Sequence, residues 1–413
     1  AVEVLKEMKE YEWVGTELAK FNLETNLTPR EFTGSCFSDM EKENNDQLAI
    51  IRKFLENYDA KIILTGILPT LNKFDLKLDN LTPKDRYYAL MEAFNDMLMG
   101  SAYELRLQGI DELLVKHDSP LLEACNTSFQ VHMQTTPAKF AKHYNIAQSL
   151  SGPIIALAAN SPIVFGRRLW HESRIALFQQ ALDIRTSTEH MRDRSPRVSF
   201  GKGWLNNSIL EIYKEDISRF RVIMTGDKYD DSVDLVAKGK VPKLQALQIH
   251  NSTVYRWNRP CYGISDNGKP HLRIENRVIP SGPTVLDEVA NAAFWLGAMT
   301  GMDDQYKDIT KHISWEDVRD NFGKAAQFGI DTKFTWLKDK KITPAELALT
   351  ELIPLAEHGL KLKGVNDADI TRYMDVIRGR ADKLMTGARW QLRAFTSLIK
   401  HVTRDEAMSV LTQ

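Results

Sequence analysis

The sequence predicts an α+β fold in which an antiparallel sheet is followed by a helical C-terminal third. Two observations carry this. Runs in which apolar and polar residues alternate occur before about residue 280, whereas beyond Ser281 every periodic stretch has helical spacing. The runs 252–262 and 271–280 also flank Asp266-Asn267-Gly268-Lys269-Pro270, the pattern of a hairpin with a Gly-containing loop. No internal repeat, low-complexity tract or linker-like break interrupts the 413 residues. They read as one domain, 1–413, with a sheet-containing core over about 1–300 and a helical part over about 301–413.

In chain order, residues 1–12 space Val2, Leu5 and Met8 for an amphipathic helix. Residues 16–25 alternate as a strand, with Phe21 and Leu23 on one side and Asn22 and Glu24 on the other. A helix over 39–58, a strand over 61–67 and a helix started by Pro83 come next. Short strands are expected at 102–108 and 128–135. Pro137 then opens a long helical stretch that Gly152-Pro153 interrupts and Asn160-Ser161-Pro162 ends. The Arg-, Ser-, Thr- and Gly-rich residues 184–203 read as a polar loop. After the hairpin come helices over 284–299, 315–326, 344–357, 367–380 and 386–411.

Hydrophobic residues make up 43% and charged residues 26%, the profile of a soluble globular chain with a sizeable core. A formal net charge of −1 argues against nucleic acid or an anionic membrane as partner. No run approaches the roughly 20 apolar residues of a membrane span, and the first residues lack the pattern of a signal peptide. Cys36, Cys125 and Cys261 are spaced for neither a zinc site nor a disulfide framework. They read as reduced thiols, which places the chain in the cytoplasm. A homodimer is the default oligomer.

The sharpest chemical feature is Pro270-His-Leu-Arg-Ile-Glu-Asn-Arg-Val-Ile-Pro280. As a strand it sets Leu272, Ile274 and Val278 on one side and Arg273, Glu275 and Arg277 on the other, with prolines at its bounds. A cation–anion–cation row suits a polyanion plus a metal: arginines grip phosphate or carboxylate, and the glutamate ligates Mg²⁺. The plain alternative is a solvated ion-pair ladder. His132 and Gln134 share the polar side of their strand, and Glu24 stands between Asn22 and Asn26. In 250–260, alternation puts Thr253, Tyr255, Trp257 and Arg259 on one face and Val254, Arg256 and Asn258 on the other. Core aromatics with arginines reaching outward would give the same pattern. Four strands that each present Glu, His or Arg on a polar face favour a site. There is no GxSxG elbow, Walker loop, GxGxxG or HExxH, and Gly201-Lys202-Gly203 is too common a tripeptide to carry weight. A nucleotide would therefore be held by carboxylate-bound Mg²⁺ and arginines on a sheet.

Residues 156–168 (ALAANSPIVFGRR), 249–262 (IHNSTVYRWNRPCY) and 271–297 (HLRIENRVIPSGPTVLDEVANAAFWLG) resemble the second family of glutamate–cysteine ligases, as do FNLET at 21–25 and FQVHMQ at 129–134. The resemblance implies a glutamine-synthetase and guanido-kinase-like catalytic domain, with helices packed on one side of a curved antiparallel sheet. The concave face would hold ATP, Mg²⁺ and glutamate. Glutamate would be phosphorylated to an acyl phosphate, and an amine such as cysteine would displace the phosphate. Carried over by position, Glu24, His132 and Glu275 are metal-side residues, and Arg277 and Arg259 act on the transferred group. Arg256, Asn251, Arg273 and Trp257 bind the nucleotide or shape its pocket, bordered by Arg168, Trp170 and Arg174. The family's Gly-x-Glu-x-Glu strand has no match. Glu10-Tyr11-Glu12 has the spacing but ends a helix, and Glu41 and Glu43 are expected to be solvated on a helix. The expectation is that the sequence starts after that strand. At the other end, longer relatives run on into paired cystathionine-β-synthase-type nucleotide-sensing modules. A different class, a non-catalytic nucleotide-binding module that kept the fold and lost the metal site, is the alternative.

Overall fold

The computed structural model describes residues 1–98, 103–117, 120–183, 196–226 and 229–413. Helix α1 (Val2–Glu7) leads into β1 (Val14–Thr16), which pairs antiparallel with β2 (Leu23–Thr25), Gly15 opposite Glu24. The one strand expected over 16–25 is thus the second half of a hairpin, and Glu17 lies just past β1. Helix α2 (Cys36–Glu56) buries Phe37, Leu48 and Ile51. Residues 61–67 join no ladder, although the Gly66 carbonyl accepts from the Thr127 amide and its own amide donates to Asn160. Helix α3 (Asp85–Leu98) and the hairpin β3 (Tyr103–Gln108) to β4 (Glu112–His117) follow.

After β5 (Val131–Thr135) the chain enters α4 (Phe140–Ala158), in which every residue except Lys142 is buried. Gly152-Pro153 does not interrupt this helix, which continues through Pro153. Gly152 instead admits a close crossing: a Cβ there would lie 3.0 Å from the backbone carbon of Asn321. Next come β6 (Ile163–Val164), β7 (Arg167–Arg168) and α5 (Ser173–Ala181). Of the expected polar loop, residues 184–195 lie outside the described residues. Its remainder holds β8 (Val198–Ser199), which runs parallel to β9 (Tyr255–Arg256). Helices α6 (Leu210–Arg219), α7 (Ser232–Ala237) and α8 (Gln245–Asn251) lie between them. His250 and Asn251 are therefore helical, and the strand expected from 252 begins at β9 and continues as β10 (Asn258–Ile264). The hairpin partner is β11 (Pro270–Asn276), as expected.

The C-terminal part is mostly helical. Thr284 caps α9 (Val285–Gln305) by accepting from the Asp287 amide. Helix α10 (Trp315–Phe328) is followed by a short hairpin, β12 (Phe334–Trp336) and β13 (Lys340–Ile342), which the sequence reading lacked. Helix α11 (Pro344–Leu347) passes through a π-turn into α12 (Ile353–Leu362), and α13 (Asp367–Lys383) follows. The helix expected over 386–411 is two, α14 (Gly387–Leu398) and α15 (Arg404–Thr412), separated where Thr403 caps the second with a reciprocal Glu406 bond.

One apolar cluster runs from Phe37 through Ile154, Ile274 and Trp295 to Ala381, so the sheet region and the helical part share a core. Among the described residues the strands form small sheets rather than one continuous sheet. The largest has three strands in the order β10-β11-β5, all antiparallel. No described helix is long and apolar enough to cross a membrane.

Candidate active site

The three-stranded sheet sets the geometry. Glu275 of β11 lies opposite Arg259 on β10 and His132 on β5; one row on, Arg273 lies opposite Cys261 and Gln134. Because strand residues alternate between faces, all six share one face. Ile274, Asn276, Val131 and Asn258 take the other, which packs towards α4; Asn258 donates its amide to Gln148 (2.6 Å) and Ser151 (2.9 Å) of that helix. The sequence pattern of Arg273, Glu275 and Arg277 on one side is thus reproduced. Arg277 itself lies just past the strand and donates its amide to the Trp257 carbonyl at 2.9 Å.

This row is not a solvated ladder. The Glu275 side chain is only 3% exposed, with Arg277 Nε 3.1 Å from Oε1 and Arg259 Nη1 3.4 Å from Oε2. The Cys261 thiol also donates to Oε2, at 3.3 Å. Burial alone pushes the Glu275 carboxyl up, but Arg277, then Arg259 and His132, more than offset this and hold it below the usual value. The His132 imidazole is pushed towards its neutral form, first by burial and then by the three nearby arginines, against the pull of Glu275. Arg273 donates to His271 at 2.7 Å, which in turn meets the Ser265 hydroxyl at 3.0 Å. Burial pushes the Cys261 thiol up to about 12, so it is protonated and chemically quiet at neutral pH.

The face borders a large cleft of about 1730 Å³, whose lining includes His132, Arg273, Arg277 and Trp257. Glu24 lines it from β2, together with Glu17 and Glu123. Glu24 is raised by burial and then by Glu17, with which it shares a hydrogen bond, and it lies in the field of Arg277 and Glu275. Burial, followed by Glu17, raises Glu123 to about 7, while Arg277 opposes the shift. Sequence reasoning missed both Glu17 and Glu123. The one available signal was a lone acid inside the apolar run Leu121-Leu122-Glu123-Ala124-Cys125. Three polar groups lining the cleft keep buried atoms without partners: the Asn126 amide, Arg273 Nε and Trp257 Nε1. Buried polar atoms are nearly always satisfied, so these fit a polar ligand.

Other expected residues lie elsewhere. Arg256 points to the opposite side of the sheet, where Asp216 (2.5 Å) and Glu215 (3.0 Å) hold it, buried. Asn251 ends α8 and does not line the cleft. Arg174 does line it; fully buried, it bonds Glu172 (2.6 Å), Ser128 (2.6 Å) and the Val278 carbonyl (2.7 Å). Arg168 instead grips Asp111 through two bonds of 3.0 Å, and Trp170 donates to the Gln108 carbonyl. Glu10 and Glu12 are exposed. Glu41 and Glu43 are not solvated as expected: Arg372 and Tyr373 hold the first, Thr28 and Arg30 the second.

Comparison with curated proteins finds no match. Among solved structures, the chain is similar to the Pup ligase PafA of the prokaryotic ubiquitin-like modification pathway, solved in complex with ADP. That likeness has a TM-score of 0.40 and 8% identity, covering 95% of this chain and 65% of the other. The chain thus spans just under two thirds of the length of that relative. The model of glutamate-cysteine ligase family 2 matches residues 1–412, and the chain accordingly belongs to that family.

Proposed function

We propose that this protein is an ATP-dependent carboxylate–amine ligase that joins the γ-carboxylate of glutamate to an amine such as cysteine through an acyl phosphate. The observation that carries the reading is the convergence on one cleft of Arg273 and Arg277 with the carboxylates Glu17, Glu24 and Glu123, while the buried Glu275, paired with Arg259, holds Arg277 from beneath. A carboxylate is a poor acyl donor, so the chemistry needs a leaving group and a means of bringing two anions together. Arg277 and Arg273 would grip the phosphate oxygens, with Arg259 behind them steadying Glu275. Glu24, His132 and Glu275 would be the residues that hold Mg²⁺, which when bound would neutralise phosphate charge; His132 and Glu275, with Cys261, already bring their ligand atoms within 4.8 Å of one another. Glu123, raised to about 7, is suited to take the proton that an incoming ammonium must lose before it attacks. Trp257 and Asn126 supply unpaired polar atoms for substrate recognition, whereas Arg256 holds the sheet from behind. On this reading β1–β2 and the three-stranded sheet act together as the curved wall of the site.

The second reading, a nucleotide-binding module without turnover, draws on the engagement of both Glu275 oxygens by Arg259 and Arg277. ADP release with Mg·ATP, glutamate and a panel of amines separates the two. The ligase reading expects amine-dependent turnover that Glu275→Gln abolishes. Nucleotide binding without such turnover, with Glu275→Gln indistinguishable from wild type, contradicts it.

A further inference from the structure

The molecule carries a second concavity, of about 430 Å³, built on residues the cleft does not use. One wall is the outward face of α14 and the turn after it. Arg389, Arg393, Thr396, Ser397 and Lys400 follow one another at steps of four, three, one and three, which lines them along a single helical face. The opposite face, Ala388, Gln391 and Phe395, is buried, and the buried Leu392 at its margin joins Ile110 in lining the concavity.

The chemistry of this wall is one-sided. Three cations face a single carboxylate, Asp331, and Arg389 already holds that carboxylate at 3.1 Å. Arg393 and Lys400 make no salt bridge and no side-chain hydrogen bond among the described residues, and Ser397 presents an exposed hydroxyl between them. Thr396 accepts from Arg168 at 3.1 Å, which leaves its own hydroxyl proton free to donate. Beneath the concavity, the buried His171 Nδ1 is turned towards Gly329 and away from the space. The ring fits there because residue 329 is glycine; a side chain at that position would collide with the imidazole. Donors and positive charge therefore converge on a space whose one acid is neutralised. A ligand that completes it must be rich in acceptors and carry more than one negative charge.

We propose that this concavity binds a small molecule bearing a di- or triphosphate, independently of the catalytic cleft. Inorganic pyrophosphate is the simplest probe, titrated calorimetrically into the full chain at low salt without divalent ions. The expected result is saturable binding that survives Arg277→Gln in the cleft and weakens about tenfold or more in Arg393→Ala/Lys400→Ala, because two charge-assisted contacts are lost. Both substituted side chains are exposed, so the double variant should keep the wild-type thermal melt. No saturable binding, or binding that Arg277→Gln removes and the double variant leaves intact, overturns the proposal.

Discussion

Replacing Glu275 by Gln removes one charge from a buried three-residue array without changing its shape. Opposite unit charges about 4 Å apart at an effective dielectric of about 20 attract by roughly 4 kcal/mol. Breaking a buried pair costs about 3–5 kcal/mol, because the surviving charge is left stranded. Arg277 retains Glu123 as a negative neighbour, and the Arg259 side chain is 29% exposed, so water takes up part of the loss. These two reliefs put Glu275→Gln near the lower end, about 3 kcal/mol. The measurement is urea unfolding of Glu275→Gln, Arg277→Met and the double variant. Removing both partners leaves neither Glu275 nor Arg277 stranded, and only the partly exposed Arg259 loses its partner, so the double variant should be more stable than the sum of the single losses implies, with a coupling of at least ~1.5 kcal/mol. Simple additivity, or a loss below ~0.5 kcal/mol for Glu275→Gln, would refute the buried array. The linkage has a definite sign. A carboxyl held below its ordinary pKa stabilises the fold above that ordinary value, and the stabilisation is lost as pH falls through the folded value. The acid limb of the stability curve should therefore flatten in Glu275→Gln.

Glu288 has the opposite sign: only 3% exposed, it is pushed by burial from an ordinary 4.5 to about 7. Its contribution is full below about 4.5 and is lost as pH rises through about 7; Glu288→Gln, compared with wild type by urea midpoints across that window, should remove a slope of about 3 kcal/mol. Asp216→Ala leaves the buried Arg256 with only Glu215, and a loss of about 3 kcal/mol in chemical unfolding is expected; no measurable loss would mean that Arg256 finds water. Gly359→Ala drives a methyl into the Gly297 carbonyl where α9 and α12 touch, and should cost about 3 kcal/mol in a thermal melt. A change within ~0.5 kcal/mol would show that the two helices can part freely.

The polar face was legible because alternation alone decides it. Once His132, Arg259 and Glu275 lie in strands, their sharing a face follows from the period of two, provided the strands pair in register. What alternation cannot report is what packs against each face. Arg256 read as a ligand contact because its acidic partners, Glu215 and the buried Asp216, are about 40 residues away in sequence on a helix. Glu17 and Glu123 stayed hidden for the same reason: beyond the lone acid in an apolar run, Glu123 gains its meaning from Glu17 and Arg277, both distant in sequence. Residues 61–67 have strand composition but no ladder to join, and they are tied instead at Thr65 and Gly66, by Thr127 and Asn160. Gly152-Pro153 read as an interruption of the helix on propensity, yet burial on every side of α4 outweighs the one backbone bond that the ring removes.

The most direct test of the ligase reading follows oxygen. Glutamate labelled with ¹⁸O in its γ-carboxylate is incubated with Mg·ATP, the amine and the protein, and the released inorganic phosphate is analysed by mass spectrometry. Attack by that carboxylate on the γ-phosphorus, followed by displacement by the amine, carries one labelled oxygen into each phosphate. The account predicts phosphate bearing a single ¹⁸O, formed only when the amine is present and absent with Glu275→Gln. Unlabelled phosphate accompanying amide formation would contradict it.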